Sequence, residues 1–557
     1  MRFLQGNRFQ RLLLSESANA RMESDRRSMR ALFSMRISIV LPVLALSTAV
    51  AGTMPLAADA DCTAARRRDV FKYCQNVRWS FDVDGTPTTN APPVSPDAAA
   101  GEQDLPNPDR IVFDRAGGCE GDAAAFLRWL EDERSVAGET AFAAGWDDGG
   151  VFLLSEHDSE IRCLKRYDVR SGTAAVLTPT NGPHDLIGPI WIPDGANAGP
   201  RLSGVRWRTK TGTSNAWSDA RMAAAERRLY EAFPGGRPEW IEPAPDAPHR
   251  WIVQCRFSDA PPAWIEVDAD GGTFRVLSLG PAAASPMVRH VFRWRASDGE
   301  ALCGIVSFPG TGGPFPLVVF PHGGPGAISD ATFDERVWAL VDAGFLVLQP
   351  NYRGSVGFGK AFRLAGWGPD GIQRAMDDIF EATAAVRADS ALPVAKTRPV
   401  LLGGSWGGYC ALEQLAQHPG AYAGAVSLFG AFDLPALVCG EAARAARTDS
   451  AESDRERRTL FRQFADPADA VGMERLAELS PVHHAAALAE PVLLFHNRND
   501  SVIPFAQSEA MFAALTNCGT RAEFRIGEGG HGFPAAEEAR IYGEIVDLFK
   551  GWTGDAR

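Results

Sequence analysis

Short apolar runs alternate with longer helical segments in the second half of this chain, and this alternation constrains the fold more than any other feature. Strands are predicted at 318–320, 345–349, 399–402, 425–429, 491–495 and 523–526, and helices at 334–343, 371–389 and 535–552. Strands that alternate with helices pair in parallel and are covered by helices on both faces. We therefore predict a mostly parallel sheet over residues 286–557, with functional residues at the carboxyl ends of its strands.

Residues 61–285 carry short strand-like runs separated by Gly, Pro and Asp turns. Two segments, 167–177 and 267–277, share Asp, Gly, Thr, Val and Leu at equivalent positions. Each is typical of a β-hairpin, and recurring hairpins are typical of propeller blades, although hairpins resemble one another in any β protein. A helix at 219–233 is predicted to interrupt the pattern, and 86–108 is predicted to be a loop.

Residues 1–60 are predicted to be a targeting segment. A basic stretch beginning at Met29 precedes an apolar run at 37–52, and an A-x-A cleavage signal ends at Ala60. This order is that of a secretory signal peptide; a retained anchor is the alternative, although the run is short for a membrane span. Met29 and Met35 are both candidate start positions. We expect a secreted or periplasmic protein with no stable membrane span after cleavage.

Charge and cysteine content exclude two classes of function. The formal net charge is −13, and no long basic block lies beyond the N-terminus. A nucleic-acid partner is not expected, because such binding depends on Lys and Arg contacts to phosphate. The nine cysteines contain no C-x-x-C pair, so neither a zinc site nor a redox dithiol is predicted. Cys62 and Cys74 are the closest candidates for a disulfide, and an odd thiol remains unless chains are linked.

The strongest motif is the sequence GGSWGG at 403–408, between a predicted strand and a predicted helix. In a G-x-S-x-G turn the serine hydroxyl projects from a strained backbone, and the residues at −2 and +2 must be glycine because a side chain would crowd the turn. Ser405 is thus the candidate nucleophile, although Gly-rich turns also occur by chance. The Trp406 N–H, at the start of the helix, is a candidate donor to a developing oxyanion.

A serine nucleophile needs a base and an acid that orients the base. Asp500 follows the predicted strand 491–495, and His531 follows the next one, so the chain order is Ser, Asp, His as in α/β-hydrolases. Asp433 competes with Asp500 for the acid role; its alternative is to cap a helix. His496 is interpreted as a structural residue at a strand end.

A third element, HGGPG at 322–326, follows the predicted strand 318–320. Gly323 and Gly324 allow the backbone to approach a substrate carbonyl, and one of their N–H groups, with that of Trp406, is predicted to form an oxyanion hole. An ordinary Gly/Pro turn is the alternative for this segment alone.

Together these motifs resemble the prolyl oligopeptidase family of serine peptidases, in its acylaminoacyl-peptidase and dipeptidyl-aminopeptidase-like branch. The motifs are HGGPG at 322–326, NYRGSVGFG at 351–359, GGSWGGY at 403–409, HNRNDSVIP at 496–504 and EGGHGF at 528–533. The resemblance covers about 288–552. It implies an α/β-hydrolase domain in 286–557, Ser405 as nucleophile, Asp500 as acid and His531 as base, with the Trp406 and Gly324 N–H groups as oxyanion donors.

The resemblance also implies an N-terminal β-propeller that restricts substrates to short peptides. Residues 61–285 are fewer than the roughly 280 that seven blades need, so we predict a shortened propeller-like domain. Asn497 stands where the family has glycine and Ile503 where it has valine; we expect neither to touch the catalytic residues. No paired-Glu motif for a free amine is found, so dipeptidyl peptidase activity is not implied.

The sequence therefore predicts a serine hydrolase that cleaves peptide bonds in short peptides through an acyl-enzyme intermediate, without metal or organic cofactor. An esterase or isopeptidase acting through the same three residues is one alternative, because ester and amide cleavage share that intermediate. A catalytically inactive binding protein is the alternative from a different class, and the intact motifs argue against it.

Overall fold

A computed structural model describes residues 142–147, 150–168, 171–181, 184–192, 201–209, 211–244, 247–279, 287–446 and 451–554. The predicted targeting segment, the loop at 86–108 and the Cys62–Cys74 pair lie outside these described residues. Among the helices that are described, none is both long and apolar enough to cross a bilayer.

The first part of the described chain consists of three antiparallel sheets whose strands follow one another in sequence. Sheet A contains β1 (Phe142–Asp147), β2 (Gly150–Ser155), β3 (Cys163–Asp168) and β4 (Thr173–Val176). Sheet B contains β5 (Leu186–Ile192), β6 (Arg201–Thr209) and β7 (Gly212–Trp217). Sheet C contains β8 (Arg237–Ala244), β9 (Ala247–Arg256), β10 (Ala263–Asp268) and β11 (Thr273–Ser278).

Both predicted hairpins are confirmed, and each forms the last pair of its sheet. Asp168 pairs with Thr173 between β3 and β4, and Asp268 pairs with Thr273 between β10 and β11. The glycine that precedes each threonine has a positive φ, +69° in the first turn and +61° in the second, which explains why glycine recurs there.

One helix, α1 (Ala220–Ala232), joins sheet B to sheet C, and it confirms the predicted helix at 219–233. The buried carboxylate of Glu226 in this helix accepts hydrogen bonds from the indole N–H of Trp217 at 2.6 Å and of Trp240 at 2.9 Å. Trp217 ends β7 and Trp240 lies in β8, so one side chain ties both sheets to the helix. Burial raises the pKa of Glu226, but these donors stabilise its charged form.

The second part of the chain contains one eight-stranded sheet in the order β12-β13-β15-β14-β16-β17-β18-β19. Its strands are β12 (Met287–Arg295), β13 (Ala301–Pro309), β14 (Leu317–Val319), β15 (Leu346–Asn351), β16 (Val400–Gly404), β17 (Ala425–Leu428), β18 (Val492–Asn497) and β19 (Ala522–Gly527). Only β13 runs against its neighbours; β15, β14 and β16 to β19 are parallel. The predicted mostly parallel sheet is confirmed, and its topology is that of an α/β-hydrolase.

Helices cover both faces of this sheet, as predicted. They are α2 (Glu335–Asp342), α3 (Lys360–Leu364), α4 (Gly368–Ala388), α5 (Trp406–Gln417), α6 (Leu434–Ala445), α7 (Ala451–Gln463), α8 (Ala470–Glu478), a 3₁₀ helix (Pro481–Ala487), α9 (Ala506–Asn517) and α10 (Ala535–Thr553). In β16, Leu401 packs into the core under α4 and α5, whereas Val400 and Leu402 pack into the core under α2 and α10. Successive strand residues point to opposite faces, so a strand buried on both sides must be apolar throughout.

Sheets A and B contact the segment that follows β15. The N–H of Gly357 donates at 2.8 Å to the carboxylate of Asp185, the residue before β5. The N–H of Lys360 donates to the Glu160 carbonyl at 2.8 Å. The buried carboxylate of Glu156 forms an ion pair with Arg363 of α3. These contacts hold residues 357–363 between the β-rich part and the large sheet, next to the loops described below.

Candidate active site

Ser405 lies in a sharp turn between β16 and α5, with φ +56° and ψ −125°. Such a backbone is rare for a residue with a side chain. An ideal Cβ on Gly403 would lie 2.0 Å from the Gly407 carbonyl oxygen, and one on Gly407 would lie 2.3 Å from that of Pro321. Both glycines are therefore required by sterics, as the sequence motif predicts.

Asp500 and His531 form a hydrogen bond at the ends of neighbouring strands, with 2.7 Å between Asp500 Oδ2 and His531 Nδ1. In the parallel pairing of β18 with β19, Asn497 lies opposite Gly527, so the turns that follow must meet. The carboxylate is buried, and its Oδ1 also accepts from two backbone N–H groups, those of Val502 at 2.8 Å and Ile503 at 2.9 Å. Because the carboxylate only accepts, Nδ1 carries the proton and Nε2 keeps the lone pair that a base needs.

Phe429 places the His531 ring next to the serine turn. The two ring centroids are 4.6 Å apart, and an ideal Cβ on Gly404, the residue before Ser405, would lie 3.4 Å from the Phe429 ring. Within the described part of the chain, the Ser405 hydroxyl and His531 do not share a hydrogen bond. In unliganded enzymes such contacts are often long and tighten when substrate binds.

The HGGPG segment lies against the serine turn. An ideal Cβ on Gly323 would be 3.4 Å from Ser405 Cβ, so any larger residue would crowd the nucleophile. Gly324 has φ +126°, which favours glycine. Trp406 is the first residue of α5, so its N–H has no acceptor within the helix. The structure thus places Gly323 next to Ser405, and Trp406, which follows the serine directly, has a backbone N–H free of the helix.

The His322 side chain stabilises the HGGPG segment through hydrogen bonds. Its Nδ1 donates to the Gly323 carbonyl at 2.7 Å, and its Nε2 is 2.8 Å from Ser355 Oγ. The Tyr352 hydroxyl donates to the His322 backbone carbonyl at 2.7 Å. Burial lowers the pKa of His322 to about 4, so the ring is neutral at neutral pH. A carbonyl oxygen only accepts, so the proton of the neutral ring lies on Nδ1, toward Gly323. Nε2 faces Ser355 Oγ, and the Ser355 hydroxyl donates to the Tyr352 carbonyl at 2.7 Å, so neighbouring residues contact the ring on both sides.

His496 contributes more to the site than the sequence indicates. Its ring is fully buried, with Nε2 3.3 Å from Asp500 Oδ2 and 3.1 Å from the Ile503 carbonyl, and Nδ1 2.7 Å from Ser508 Oγ. Since both neighbours of Nε2 are acceptors, Nε2 carries the proton and Nδ1 accepts from Ser508. Burial lowers the pKa of His496 and keeps it neutral, so it supports Asp500 as a donor and does not compete with His531.

The alternative acid, Asp433, is a helix cap. Its side chain accepts from the Ala436 N–H at 2.9 Å at the start of α6, as the capping interpretation predicts. In contrast, the expectation that Asn497 and Ile503 do not touch the catalytic residues is wrong for their main chains, which both bind Asp500. The Ile503 N–H binds Asp500, and the Asn497 side chain binds the carbonyl groups of Gly530 and Gly532, on either side of His531.

The arrangement supplies a serine hydroxyl on a strained turn, an imidazole hydrogen-bonded to a buried carboxylate, and backbone N–H groups in the turns next to the serine. These are the parts required for acyl transfer through a covalent intermediate. Among the described residues, no group of three or more His, Cys, Asp or Glu side chains is placed to hold a metal ion.

Comparisons with known proteins find a family match in the second part of the chain. Residues 331–556 match the prolyl oligopeptidase family, peptidase S9. Dipeptidyl aminopeptidase BIII of Pseudoxanthomonas mexicana is 27% identical over 54% of this chain and 44% of that protein. The acylamino-acid-releasing enzyme of Mus musculus is 29% identical over 36% of this chain and 26% of that protein. The chain therefore matches under half the length of these curated relatives.

Solved structures show a similar fold. A puromycin-hydrolyzing peptidase of Mycobacterium tuberculosis has a TM-score of 0.60 and 23% identity, with 75% of this chain and 62% of that chain covered. The acylaminoacyl peptidase of Pyrococcus horikoshii has a TM-score of 0.56 and 18% identity, with 74% and 63% covered.

Replacement of the acid tests the assignment of Asp500 over Asp433. Asp500→Asn should lower the rate of covalent labelling of Ser405 by a fluorophosphonate by roughly 10³-fold or more, because an amide can hold the imidazole in the wrong tautomer. Asp433→Asn is the matched control and should label at nearly the wild-type rate, since Asn also caps helices well. The opposite ranking, measured by the labelling time course, would assign the acid role to Asp433.

Proposed function

Because residues 331–556 form a prolyl oligopeptidase family domain, we propose that this chain is a serine peptidase that cleaves short peptides through an acyl-enzyme intermediate. The observation that carries the proposal is the strained turn of Ser405 beside a base, His531, whose Nδ1 lies 2.7 Å from the buried carboxylate of Asp500. A strained backbone persists only where the surrounding structure enforces it, and such strain concentrates at functional sites.

The reaction follows from the roles of these groups. The Ser405 hydroxyl attacks the substrate carbonyl, and His531 Nε2 accepts its proton. The Trp406 and Gly324 N–H groups stabilise the oxyanion of the tetrahedral intermediate. His531 then gives the proton to the leaving amine, and a water molecule, deprotonated by the same imidazole, releases the acyl group from Ser405. Asp500 keeps its negative charge throughout and stabilises the imidazolium.

Peptide cleavage is favoured over the alternatives by the relatives. The two curated relatives described above are named for peptidase activity, one as a dipeptidyl aminopeptidase and one as an acylamino-acid-releasing enzyme. Ester or isopeptide hydrolysis would use the same groups and is not separately supported. A binding protein without activity has no need of a strained serine beside a base.

We propose further that residues 61–285 form a shortened propeller-like domain that restricts access to the site. Three consecutive antiparallel sheets support this: each connects its strands in sequence order as a blade does, and sheets A and C also have the four strands of a blade, whereas sheet B has three. Their contacts with residues 357–363 place sheets A and B near the loops at the carboxyl edge of the large sheet.

The nucleophile is tested by Ser405→Ala. The variant should lose covalent labelling by a fluorophosphonate and lose peptidase activity, with an unchanged unfolding temperature, because alanine removes only the hydroxyl. Digestion of a peptide library with free and acylated N-termini, read by mass spectrometry, would then define the substrate. Retained labelling in the variant would contradict the assignment, and ester turnover without any peptide cleavage would favour the esterase alternative.

Substrate size tests the role of the β-rich part. A folded protein and an unstructured peptide that contains the same cleavage sequence should be digested at very different rates, because even a partial lid excludes a folded chain. Thermally unfolded substrate at matched concentration provides the control. Equal rates on the folded and the unstructured substrate would show that the N-terminal domain does not restrict access.

Export is the last part of the proposal, and the basic, apolar and small-residue order of residues 29–60 supports it. N-terminal sequencing of protein isolated from the periplasm or the medium should begin near Asp61. A protein that remains in the cytoplasm with residues 37–52 intact would contradict the prediction.

A further inference from the structure

Asn497 ends β18 in a buried position beside the loop that carries His531. Its side-chain Nδ2 donates two hydrogen bonds, to the Gly530 carbonyl at 2.9 Å and to the Gly532 carbonyl at 2.8 Å. These are the carbonyl groups immediately before and after His531. One side-chain amide therefore binds the backbone on both sides of the proposed base.

The same residue also binds the turn that carries the acid. The N–H of Asp500 donates to the Asn497 backbone carbonyl at 3.3 Å. Asn497 thus contacts Asp500 through its main chain and the His531 loop through its side chain. Together with the 2.7 Å hydrogen bond between Asp500 and His531, these contacts form a closed hydrogen-bonded network of Asn497, Asp500 and the His531 loop.

The His531 loop needs such a contact because its own backbone provides little restraint. Glycine occupies positions 529, 530 and 532, and glycine has the largest conformational freedom of any residue. The glycines also leave room for the amide. An ideal Cβ on Gly527 would lie 2.0 Å from Asn497 Oδ1, and one on Gly529 would lie 2.9 Å from Asn497 Nδ2.

We propose that Asn497 is a positioning residue that fixes the His531 ring against Asp500, and that this chain depends on it in place of the glycine usual in the family it resembles. The inference rests on the proposed function for its effect on turnover, but not for its effect on the hydrogen bond between Asp500 and His531. An Asn497 side chain touches no reacting atom; it acts only through the loop.

The test combines steady-state kinetics with proton NMR of the full chain. In Asn497→Ala, kcat should fall about 10²-fold while KM is unchanged, because a small displacement of a catalytic group is costly to the chemical step and not to binding. The far-downfield resonance of the His531 Nδ1–H bonded to Asp500 should broaden or disappear. Asn497→Asp, which keeps the size but cannot donate to two carbonyls, should behave in the same way.

Two glycine variants provide a second route should the Asn497 variants fold poorly. Gly529→Ala places a methyl group against Nδ2 and should reduce both kcat and the downfield signal. Gly530→Ala, whose ideal Cβ has nothing closer than 4.0 Å, should have a smaller effect. Asn499→Ala is the comparison at the exposed start of the same loop: its side chain binds the Glu528 carbonyl at 2.6 Å, three residues before His531, and its loss should change both readouts less than Asn497→Ala does.

The outcomes separate this inference from the proposed function. A lower unfolding temperature in Asn497→Ala, with kcat and the downfield proton both retained, would overturn the positioning role and leave a purely structural one. Loss of the downfield proton supports the inference even if the wild-type protein hydrolyses no peptide, and failure of wild-type labelling by a fluorophosphonate would count against the proposed function alone.

Discussion

The strained backbone of Ser405 is the constraint on which the rest of the site depends. A residue with a side chain at φ +56° costs about 1–3 kcal/mol, and the fold must impose that conformation from both sides. Three completely buried residues of β16 anchor the turn from one side, and the buried first turns of α5 anchor it from the other. Glycine is then required where other segments of the chain approach the turn. An ideal Cβ on Gly407 would lie 2.3 Å from the Pro321 carbonyl oxygen, and one on Gly408 would lie 2.3 Å from Ser427 Oγ. Because these segments pack so closely against the turn, the packing also determines where the HGGPG segment and the end of β17 lie.

The parallel sheet converts separated sequence motifs into one site. The HGGPG segment follows β14, Ser405 follows β16, and Asp500 and His531 follow β18 and β19. Parallel strands end at the same edge, so each motif needs only to follow its strand to arrive there. What the sheet does not provide is the orientation of each side chain. Buried hydrogen bonds provide it: His322 fixes the Gly323 carbonyl, and two backbone N–H groups with His496 fix the carboxylate of Asp500.

The elements that were predictable from the sequence are those in which a local pattern determines the outcome. The serine turn and the hairpins at 167–177 and 267–277 require glycine at particular backbone angles. The central strands of the large sheet, β14 to β18, are largely apolar because both of their faces are buried. The roles of Asn497 and His496 were not predictable in this way. Asn497 acts on a loop more than thirty positions away in sequence, and nothing in its own surroundings identifies those carbonyl groups as its partners. A residue that follows a parallel strand can be placed at the carboxyl edge of the sheet from the sequence alone. Its hydrogen-bond partners cannot, because they depend on how the loops after β18 and β19 pack together.

The same reasoning applies to the contact between the β-rich part and the site. Asp185 accepts the N–H of Gly357, 172 residues away. Of the two residues before Gly357, Ser355 contacts His322 of the HGGPG segment, and the Val356 N–H donates to the carbonyl of Ala327, which follows this segment. Three consecutive residues therefore connect a carboxylate near β5 to the loop that approaches Ser405. The β-rich part is thus connected to the loop at 322–327 by the hydrogen bonds of residues 355–357, although the two are far apart in the sequence.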